Sequence, residues 1–238
     1  MDKVMIEVGG MRLYEPETFI SDIYLTIVCY FFWREIKRSS NTDYGNYYAN
    51  FFIFLAMGSV VGGVAHLFAH YIPNNYLHVL AWSLSALGLY YVEVASAFDY
   101  PKKVKKVLNS IFLIQYIVSV GVFVGYQLFG DFVHDTTLVG VPGFTAVSIS
   151  IGISLVGFVV PLHLIKYFKE RDNGSGIIIL GVFLSAGAAV VHAKKWSLNL
   201  YINYNVVAHI ILSLCYYIYM LGMKIKVSGG DVESEETT

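Results

Sequence analysis

Seven hydrophobic stretches, each long enough to cross a bilayer, constrain this chain more than any other feature. A spanning helix needs roughly 17–25 largely apolar residues. All seven stretches meet that length, although the first is the shortest. We therefore predict an all-α, polytopic membrane bundle of seven transmembrane helices. The predicted spans are Thr18–Arg34, Asn46–Tyr71, Tyr76–Phe98, Val104–Phe129, Pro142–Phe168, Gly176–Ala193 and Tyr201–Met223.

Composition supports a membrane protein of a single domain. The chain is 56% hydrophobic and 14% charged, with a mean hydropathy of +0.60, outside the range usual for soluble domains. We predict a membrane domain at 18–223, an outer segment at 1–17 with a possible β-hairpin around Gly9-Gly10, and a disordered acidic tail at 224–238. No basic patch suits nucleic acid, so the bilayer is the expected partner, in a membrane that the sequence does not specify.

Loop charges predict the orientation. Four Lys/Arg clusters follow the first, third, fifth and seventh stretches, whereas the second and fourth loops have none. Positive loops stay in the cytosol, so the N-terminus is expected outside or in a lumen and the C-terminus in the cytosol. Lys194 and Lys195 in the sixth loop are the exception. The clusters consist of Arg34, Lys37 and Arg38; Lys102, Lys103, Lys105 and Lys106; Lys166, Lys169 and Arg171; and Lys224 and Lys226.

Polar residues inside the spans are costly and therefore mark candidate sites. Gly58, Gly62, His66 and His70 are spaced four apart, which predicts one helical stripe in which the glycines admit a neighbouring helix. Asn205 and His209 have the same spacing in the seventh span. With the predicted topology, the candidates share one layer near the outer surface. Besides His66, His70, Asn205 and His209, that layer holds Asp22, His78, His192 and Asn203.

A layer of imidazoles and a carboxylate suits zinc in an open coordination, where bound water becomes a nucleophile. We assign His66, His209 and His192 as candidate zinc ligands, and Asn205 and His78 as candidate catalytic groups that orient a carbonyl. Three further polar pocket residues are Asp22, His70 and Asn203. The alternative is a metal-free hydrogen-bond network between helices.

Two other polar residues in the spans receive structural interpretations. Glu93 in the third span is expected to be a protonated or paired structural carboxyl, with a proton relay as the alternative. His163 in the fifth span is interpreted as a boundary histidine. Cys29 and Cys215 lie in spans and are expected to be free thiols.

The order of elements resembles the CREST superfamily of seven-span proteins, which includes alkaline ceramidases, progestin/adiponectin receptors and myomaker-like proteins. Its motifs are Ser-x-x-x-His in span two, Asp near span three and His-x-x-x-His in span seven. Here Gly62 precedes His66 and Asn205 precedes His209, so only the two histidines match. No Asp opens the third span. The resemblance implies a zinc-dependent lipid amide hydrolase. The Asn203-x-Asn205-x-x-x-His209 pattern also resembles an uncharacterised seven-span family, which implies a fold and no activity.

Three functions follow from these patterns. The first is the zinc-dependent, ceramidase-like hydrolase. The second is a receptor or sensor for a small or lipid ligand, and the third is a non-enzymatic structural or membrane-remodelling protein. A retinal protein is disfavoured because the seventh span has no lysine for a Schiff base. Gly121-x-x-x-Gly125 favours a homodimer, although packing inside the bundle accounts for it equally well.

Overall fold

Seven helical rods form the body of the protein in a computed structural model that describes residues 4–72, 76–129 and 144–235. α5, a π-helical segment and α6 run on without a break and make up one rod. The helices are α1 Pro16–Ser39, α2 Asp43–Leu67, α3 Tyr76–Ser96, α4 Lys102–Phe129, α5 Phe144–Gly152, the π segment Ile153–Val159, α6 Val160–Glu170, α7 Asn173–Lys194 and α8 Tyr204–Glu235.

Six of these rods are long and apolar enough to cross a membrane. The prediction of a helical, multi-pass membrane protein is therefore confirmed at this level. α1 is not among the six. It contains Asp22 and ends in the charged stretch from Arg34 to Arg38, so its mean hydropathy is lower than that of the others.

The rods follow one another around the bundle, and the last rod returns to the first. α1 packs on α2, α2 on α3 and α7 on α8, while α8 also packs on α1. The main core is aromatic where α1, α2 and α8 meet, with Phe32, Phe52 and Tyr219 buried in one cluster. Cys29 and Cys215 are buried there as free thiols. Closure of α8 on α1 places the start of α1, the end of α2 and the start of α8 together.

A proline accounts for the π segment in the fifth rod. Pro161 has no backbone N–H, and its ring clashes with the carbonyl four residues earlier, that of Gly157. The N–H of Val160 bonds instead to the carbonyl of Leu155, five residues back. One residue is thereby inserted into the helical ladder, and π segments of this kind often occur at functional sites.

A β-hairpin covers one end of the bundle. β1 (Met5–Val8) pairs antiparallel with β2 (Met11–Tyr14), with Val8 opposite Met11. Gly9 and Gly10 have φ of 57° and 81°, as a two-residue hairpin turn requires. The Arg12 N–H donates to the Tyr71 hydroxyl and holds the hairpin over the end of α2. We call this end the hairpin end, and the opposite end, where Arg34, Lys102, Lys169 and Lys224 lie, the basic end.

α2 stops before the predicted limit of Tyr71, and this removes His70 from the predicted stripe. The Phe68 N–H bonds to the carbonyls of Val64 and His66, and the Tyr71 and Ile72 N–H groups both bond to the Phe68 carbonyl. These bonds replace the helical ladder with a tight turn. His70 therefore lies beyond α2, so the helical stripe ends with His66.

α4 and α8 also depart from the expectations. A Cβ atom added at Gly121 or Gly125 of α4 meets no atom of the described residues within 4 Å, so packing among those residues does not account for these glycines. α8 continues to Glu235, so the boundary predicted at residue 223 falls inside a helix. Residues 236–238 lie outside the described residues.

Candidate functional site

Five polar side chains gather at the hairpin end, where α1, α2 and α8 meet. They are Glu15, Ser21, Asp22, His66 and His209, and we call them the hairpin-end cluster. Glu15 immediately precedes α1, and Ser21 and Asp22 lie in its second turn. His66 is near the end of α2 and His209 is near the start of α8. Antiparallel packing brings these helix ends to one level.

His209 contacts two neighbouring residues of α1 through its two ring nitrogens. Its Nδ1 lies 2.8 Å from the Ser21 hydroxyl oxygen, and its Nε2 lies 3.6 Å from Asp22 Oδ1. The Ser21 hydroxyl is also 2.8 Å from the Thr18 carbonyl oxygen. The hydroxyl has one proton and two acceptors, so rotation about its C–O bond directs that proton to the carbonyl or to the imidazole.

His66 pairs with a carboxylate at the entrance to α1. Its Nδ1 lies 2.7 Å from Glu15 Oε2, a length typical of a charge-assisted hydrogen bond. Glu15 adopts a left-handed conformation with φ of 45°, which is rare for a residue with a side chain. The His66 ring also packs edge-to-face against His78, with ring centroids 5.0 Å apart.

A glycine lets α1 approach α2 at this level. A Cβ atom at Gly63 would lie 2.9 Å from the Asp22 Cβ, closer than real Cβ contacts. Of the two glycines predicted to admit a neighbouring helix, Gly58 does so, because a Cβ atom there would lie 2.6 Å from the Ser85 hydroxyl oxygen of α3. At Gly62 a Cβ atom would meet only Ala81 at 3.8 Å. The helix contact therefore uses the neighbouring glycine, which faces α1, and it brings Asp22 within electrostatic range of His66.

The imidazoles of the cluster are partly accessible, whereas the carboxylates are buried. The His66 and His209 side chains are 21% and 18% exposed, and Glu15 and Asp22 are 7% and 8% exposed. The Oδ2 atom of Asp22 receives no hydrogen bond from the residues that the structure describes. The imidazoles are therefore the more accessible groups of the cluster.

Asn203 acts as a helix cap. Its side-chain oxygen accepts hydrogen bonds from the N–H groups of Asn205 and Val206, the geometry expected of the residue before a helix. Its Nδ2 donates to Glu17 Oε1 at 2.9 Å and to the Thr18 hydroxyl at 3.0 Å. Asn203 thereby begins α8 and fixes it to the start of α1, which sets the height of His209 against Ser21.

The other predicted site residues lie around the cluster. His192 packs edge-to-face on Tyr204, with centroids 5.0 Å apart, and interacts with the side chain of Asn205. His70 stacks on Tyr14 of the hairpin at 5.9 Å. The structure thus brings Asp22, His66, His78 and His209 together, while His192 and Asn205 pair on α7 and α8.

The fit of this arrangement to zinc was tested on the donor atoms. Within residues 4–72, 76–129 and 144–235, no three His, Cys, Asp or Glu side chains converge closely enough to hold a metal ion. His66 and His209 each use Nδ1 in a hydrogen bond within the protein. The zinc site of His66, His209 and His192 stays a prediction, and no chemical step is assigned to it here.

Sequence reasoning missed Ser21 and the role of Glu15. A serine in an apolar span ordinarily bonds to its own helix, as Ser21 also does, so nothing in its neighbourhood distinguishes it. Glu15 was noticeable as part of the acidic Glu15-Pro16-Glu17 entry to α1. That acidic stretch was the available signal for Glu15, and the sequence offered none for Ser21.

Another polar cluster lies nearer the basic end and is built around His163. His163 on α6 is fully buried, with Nε2 at 3.0 Å from the Ser96 hydroxyl and Nδ1 at 2.7 Å from the Ser175 hydroxyl. Ser175 lies 2.7 Å from Asp172, which also accepts from Lys226. We call these five residues the basic-end cluster. It joins α3, α6, α7 and α8, so His163 is not the boundary residue that we expected.

The N-cap of α7 gives this cluster its charge. Asp172 precedes α7 and accepts a hydrogen bond from the Ser175 N–H at 3.2 Å. Burial alone would raise the pKa of Asp172, but the hydrogen bonds from Lys226 and Ser175 lower it to about 2. Asp172 is therefore ionised at neutral pH. A comparable pair joins the buried Lys166 to Asp99 at 2.8 Å.

Comparison with known proteins gives a family and no activity. No curated protein matches the chain, and no solved structure does. The family of unknown function DUF6962 matches residues 17–227, which include all of the hairpin-end cluster except Glu15. Since this match covers most of the sequence, the chain belongs to the family of unknown function DUF6962.

Proposed function

We propose that this protein crosses the membrane seven times, with the hairpin end outside or in a lumen and the basic end in the cytosol. Lys/Arg clusters at the end of α1, at the start of α4, in α6 and beyond it, and in the second half of α8 support this orientation. α1 completes the count because its packing between α2 and α8 shields Asp22 from lipid. Labelling of single cysteines in intact vesicles tests the proposal, and labelling of both ends from one side contradicts it.

We also propose that the hairpin-end cluster is the active site of a membrane hydrolase that cleaves a lipid ester or amide. The observation that carries this proposal is the contact of His209 with both Ser21, at 2.8 Å, and Asp22, at 3.6 Å. A hydroxyl, an imidazole and a carboxylate in this order make a nucleophile, a general base and the group that orients the base.

The proposed reaction uses only the protein's own residues and water. The Ser21 hydroxyl oxygen attacks the lipid carbonyl carbon while its proton passes to His209 Nδ1, and Asp22 stabilises the imidazolium. His209 returns the proton to the leaving amine or alcohol as the carbon–nitrogen or carbon–oxygen bond breaks. Water then attacks the acyl-serine, His209 takes a proton from that water, and Ser21 regains its hydrogen as the fatty acid leaves.

His66 is assigned to the carbonyl oxygen of the substrate. A ring nitrogen of His66 that carries a hydrogen can donate to the oxyanion that forms when the carbonyl is attacked, while the hydrogen bond to Glu15 orients the ring. The partial exposure of both imidazoles supports access for a substrate. A lipid is the proposed substrate class because the cluster lies where apolar helices meet the outer membrane surface.

A serine-directed probe tests the nucleophile without knowledge of the substrate. A fluorophosphonate should label the purified protein at Ser21, with labelling lost in Ser21→Ala. Ser213 is the matched control: it is buried on α8 and bonds to the Ile210 carbonyl, so Ser213→Ala should be labelled as wild type. Absence of labelling at Ser21 in folded protein would overturn the serine mechanism.

The resemblance to ceramidases supports a zinc-dependent form of the same hydrolase. Measurement of metal in the purified protein separates the two forms. Near-stoichiometric zinc that disappears in His209→Ala, together with no labelling of Ser21, favours the zinc-dependent mechanism. Ser21 labelling in metal-free protein favours the serine.

We further propose a homodimer through α4. Gly121 and Gly125 face open space and lie one turn apart, beside exposed Ile117, Val118 and Val122. Small residues at this spacing let two helices approach closely in a membrane. Gly121→Leu should convert a dimer to a monomer in cross-linking experiments, and an unchanged cross-linked fraction would contradict the proposal.

A further inference from the structure

A third polar cluster lies inside the bundle, between α3, α4 and the fifth rod. It consists of Glu93, Gln115, Ser119, Ser150 and Ser154, and we call it the mid-bundle cluster. Glu93 is 1% exposed, and the three serines are also buried. Gln115 and Ser154 lie well inside their helices, more than three turns from the basic end of each. An ionisable group in such a place marks a functional site by default.

The side chains of this cluster interlock. Gln115 Nε2 donates to the Ser154 hydroxyl at 2.7 Å and lies 3.5 Å from the Ser150 carbonyl oxygen. The Ser119 and Ser150 hydroxyl oxygens are 2.8 Å apart. Glu93 interacts with the side chains of Gln115 and Ser154. Three rods therefore contribute oxygen atoms to one small volume.

Two acceptor atoms in this volume have no donor. Glu93 Oε1 and Gln115 Oε1 are both buried, and no described residue donates a hydrogen bond to either. A buried acceptor without a partner costs about 1–3 kcal/mol, and more where it is charged. Two such atoms in one cluster are places where a positive group would be stabilised.

We propose that the mid-bundle cluster binds a small monovalent cation, and sodium is the ion used to test it. Its donor atoms are all oxygens, which hard cations prefer. The carboxyl of Glu93 supplies one negative charge, which a singly charged ion neutralises. A divalent ion would leave an uncompensated charge in a medium of low dielectric constant.

Charges around Glu93 agree with this assignment. Neither Lys, Arg nor His interacts with its carboxyl among the described residues of the helices packed around it. Tyr90, one turn earlier on α3, is a titratable side chain that interacts electrostatically with Glu93. Tyr90 also packs on Tyr116 of α4. Glu93 therefore has no resident counter-ion, unlike Asp172 or Asp99.

Helix geometry in the fifth rod supports a site here. Ser154 lies in the π segment that Pro161 imposes, and Ser150 lies one turn before it. Interrupted helices in membrane proteins commonly line ion sites, because the displaced backbone exposes oxygens that a regular ladder would use. The rearranged segment thus faces the carboxyl that has no counter-ion.

Thermal unfolding in detergent tests the proposal, at equal concentrations of sodium chloride or choline chloride. An ion that binds only the folded state raises the melting temperature. We expect sodium to raise it by roughly 3 °C in wild type, and the rise to be absent in Glu93→Gln. Gln127→Leu, on α4 and outside the cluster, should respond as wild type does.

A milder pair of variants covers the case in which Glu93→Gln does not fold. Ser119→Ala removes one cluster oxygen and should need several-fold more sodium for half of the maximal rise. Ser110→Ala removes an exposed hydroxyl that bonds to Lys106 on the same helix and should need the wild-type concentration. No sodium-dependent rise in wild type, or an equal rise in Glu93→Gln, would overturn the site and favour a permanently protonated carboxyl. These outcomes are independent of hydrolysis.

Discussion

The hairpin-end cluster and the basic-end cluster both contain histidine, serine and aspartate, although a glutamate belongs only to the first and a lysine only to the second. They differ in how completely their histidines are bonded and buried. Both pair histidine with serine and aspartate across several helices. His163 is fully buried, and both of its nitrogens contact serine hydroxyls. His66 and His209 are partly exposed, and each places one nitrogen in a hydrogen bond. Complete bonding stabilises helix contacts, whereas accessible imidazoles leave capacity for a substrate.

The largest expected difference between the clusters is in catalysis. His209→Gln removes the general base and should lower the rate of fluorophosphonate labelling or lipid hydrolysis by about 10²–10⁴-fold. His163→Gln should leave that rate within a few-fold of wild type. The comparison fails if both variants lose the same activity per folded molecule, since a shared loss would indicate a structural role for both histidines.

The free energy of unfolding should depend strongly on the histidine of the basic-end cluster and hardly on an exposed histidine. His163→Leu leaves the Ser96 and Ser175 hydroxyls without their imidazole partner and should cost roughly 2–3 kcal/mol of unfolding free energy. His70→Leu, at an exposed position beyond α2, is the control and should cost under about 0.5 kcal/mol. Chemical denaturation in mixed micelles measures both, and equal costs would contradict a structural role for the basic-end cluster.

Helix spacing at the hairpin end gives a smaller effect. Gly63→Ala places a Cβ atom 2.9 Å from the Asp22 Cβ, so α1 must move away from α2, at a cost of about 1–2 kcal/mol. Gly62→Ala meets only an ordinary contact at 3.8 Å and should be neutral. The test measures both melting temperature and labelling of Ser21, and equal behaviour of the two variants would contradict the close approach at Gly63.

A further expected difference is a dependence on acid at the basic end. The folded pKa of Asp172 is about 2, below the unfolded value of about 3.9. Its contribution to stability is therefore complete above pH ~4 and is lost as the pH falls through the folded pKa. Melting temperature should fall between pH ~4 and ~2 in wild type, and less in Asp172→Asn. An equal fall in melting temperature in wild type and Asp172→Asn would contradict the stabilising role of the ionised Asp172.

Hydropathy was sufficient to locate the helices, because a spanning segment is a local property of about twenty residues. The ends of the helices were harder to predict. Nothing in the apolar run from Asn46 to Tyr71 shows that hydrogen bonds to Phe68 end α2 at Leu67. His70 was consequently assigned to the wrong stretch of backbone, while His66 in the same pattern was placed at the level of the cluster.

The hydrogen-bond partners that lie on different helices were harder still to predict. The pairing of Ser21 with His209 depends on α8 packing against α1, and no spacing within either segment encodes that contact. His163 was misjudged for the same reason, since its serine partners come from α3 and α7. Residue type and depth were predictable, and the bonding of each polar group was not.

The contact between the first and last helices has a consequence for synthesis of the chain. Ser21 and His209 are separated by 188 positions, and Asn203, which holds α8 to the start of α1, is also made late. At about 5–20 residues per second, a ribosome needs roughly 10–40 seconds to cover that interval. During it, Asp22 has no α8 beside it, and the emerging first segment is the least apolar of the seven. In the proposed seven-span topology, the face of α1 that contacts α8 is therefore covered only when the chain is almost finished.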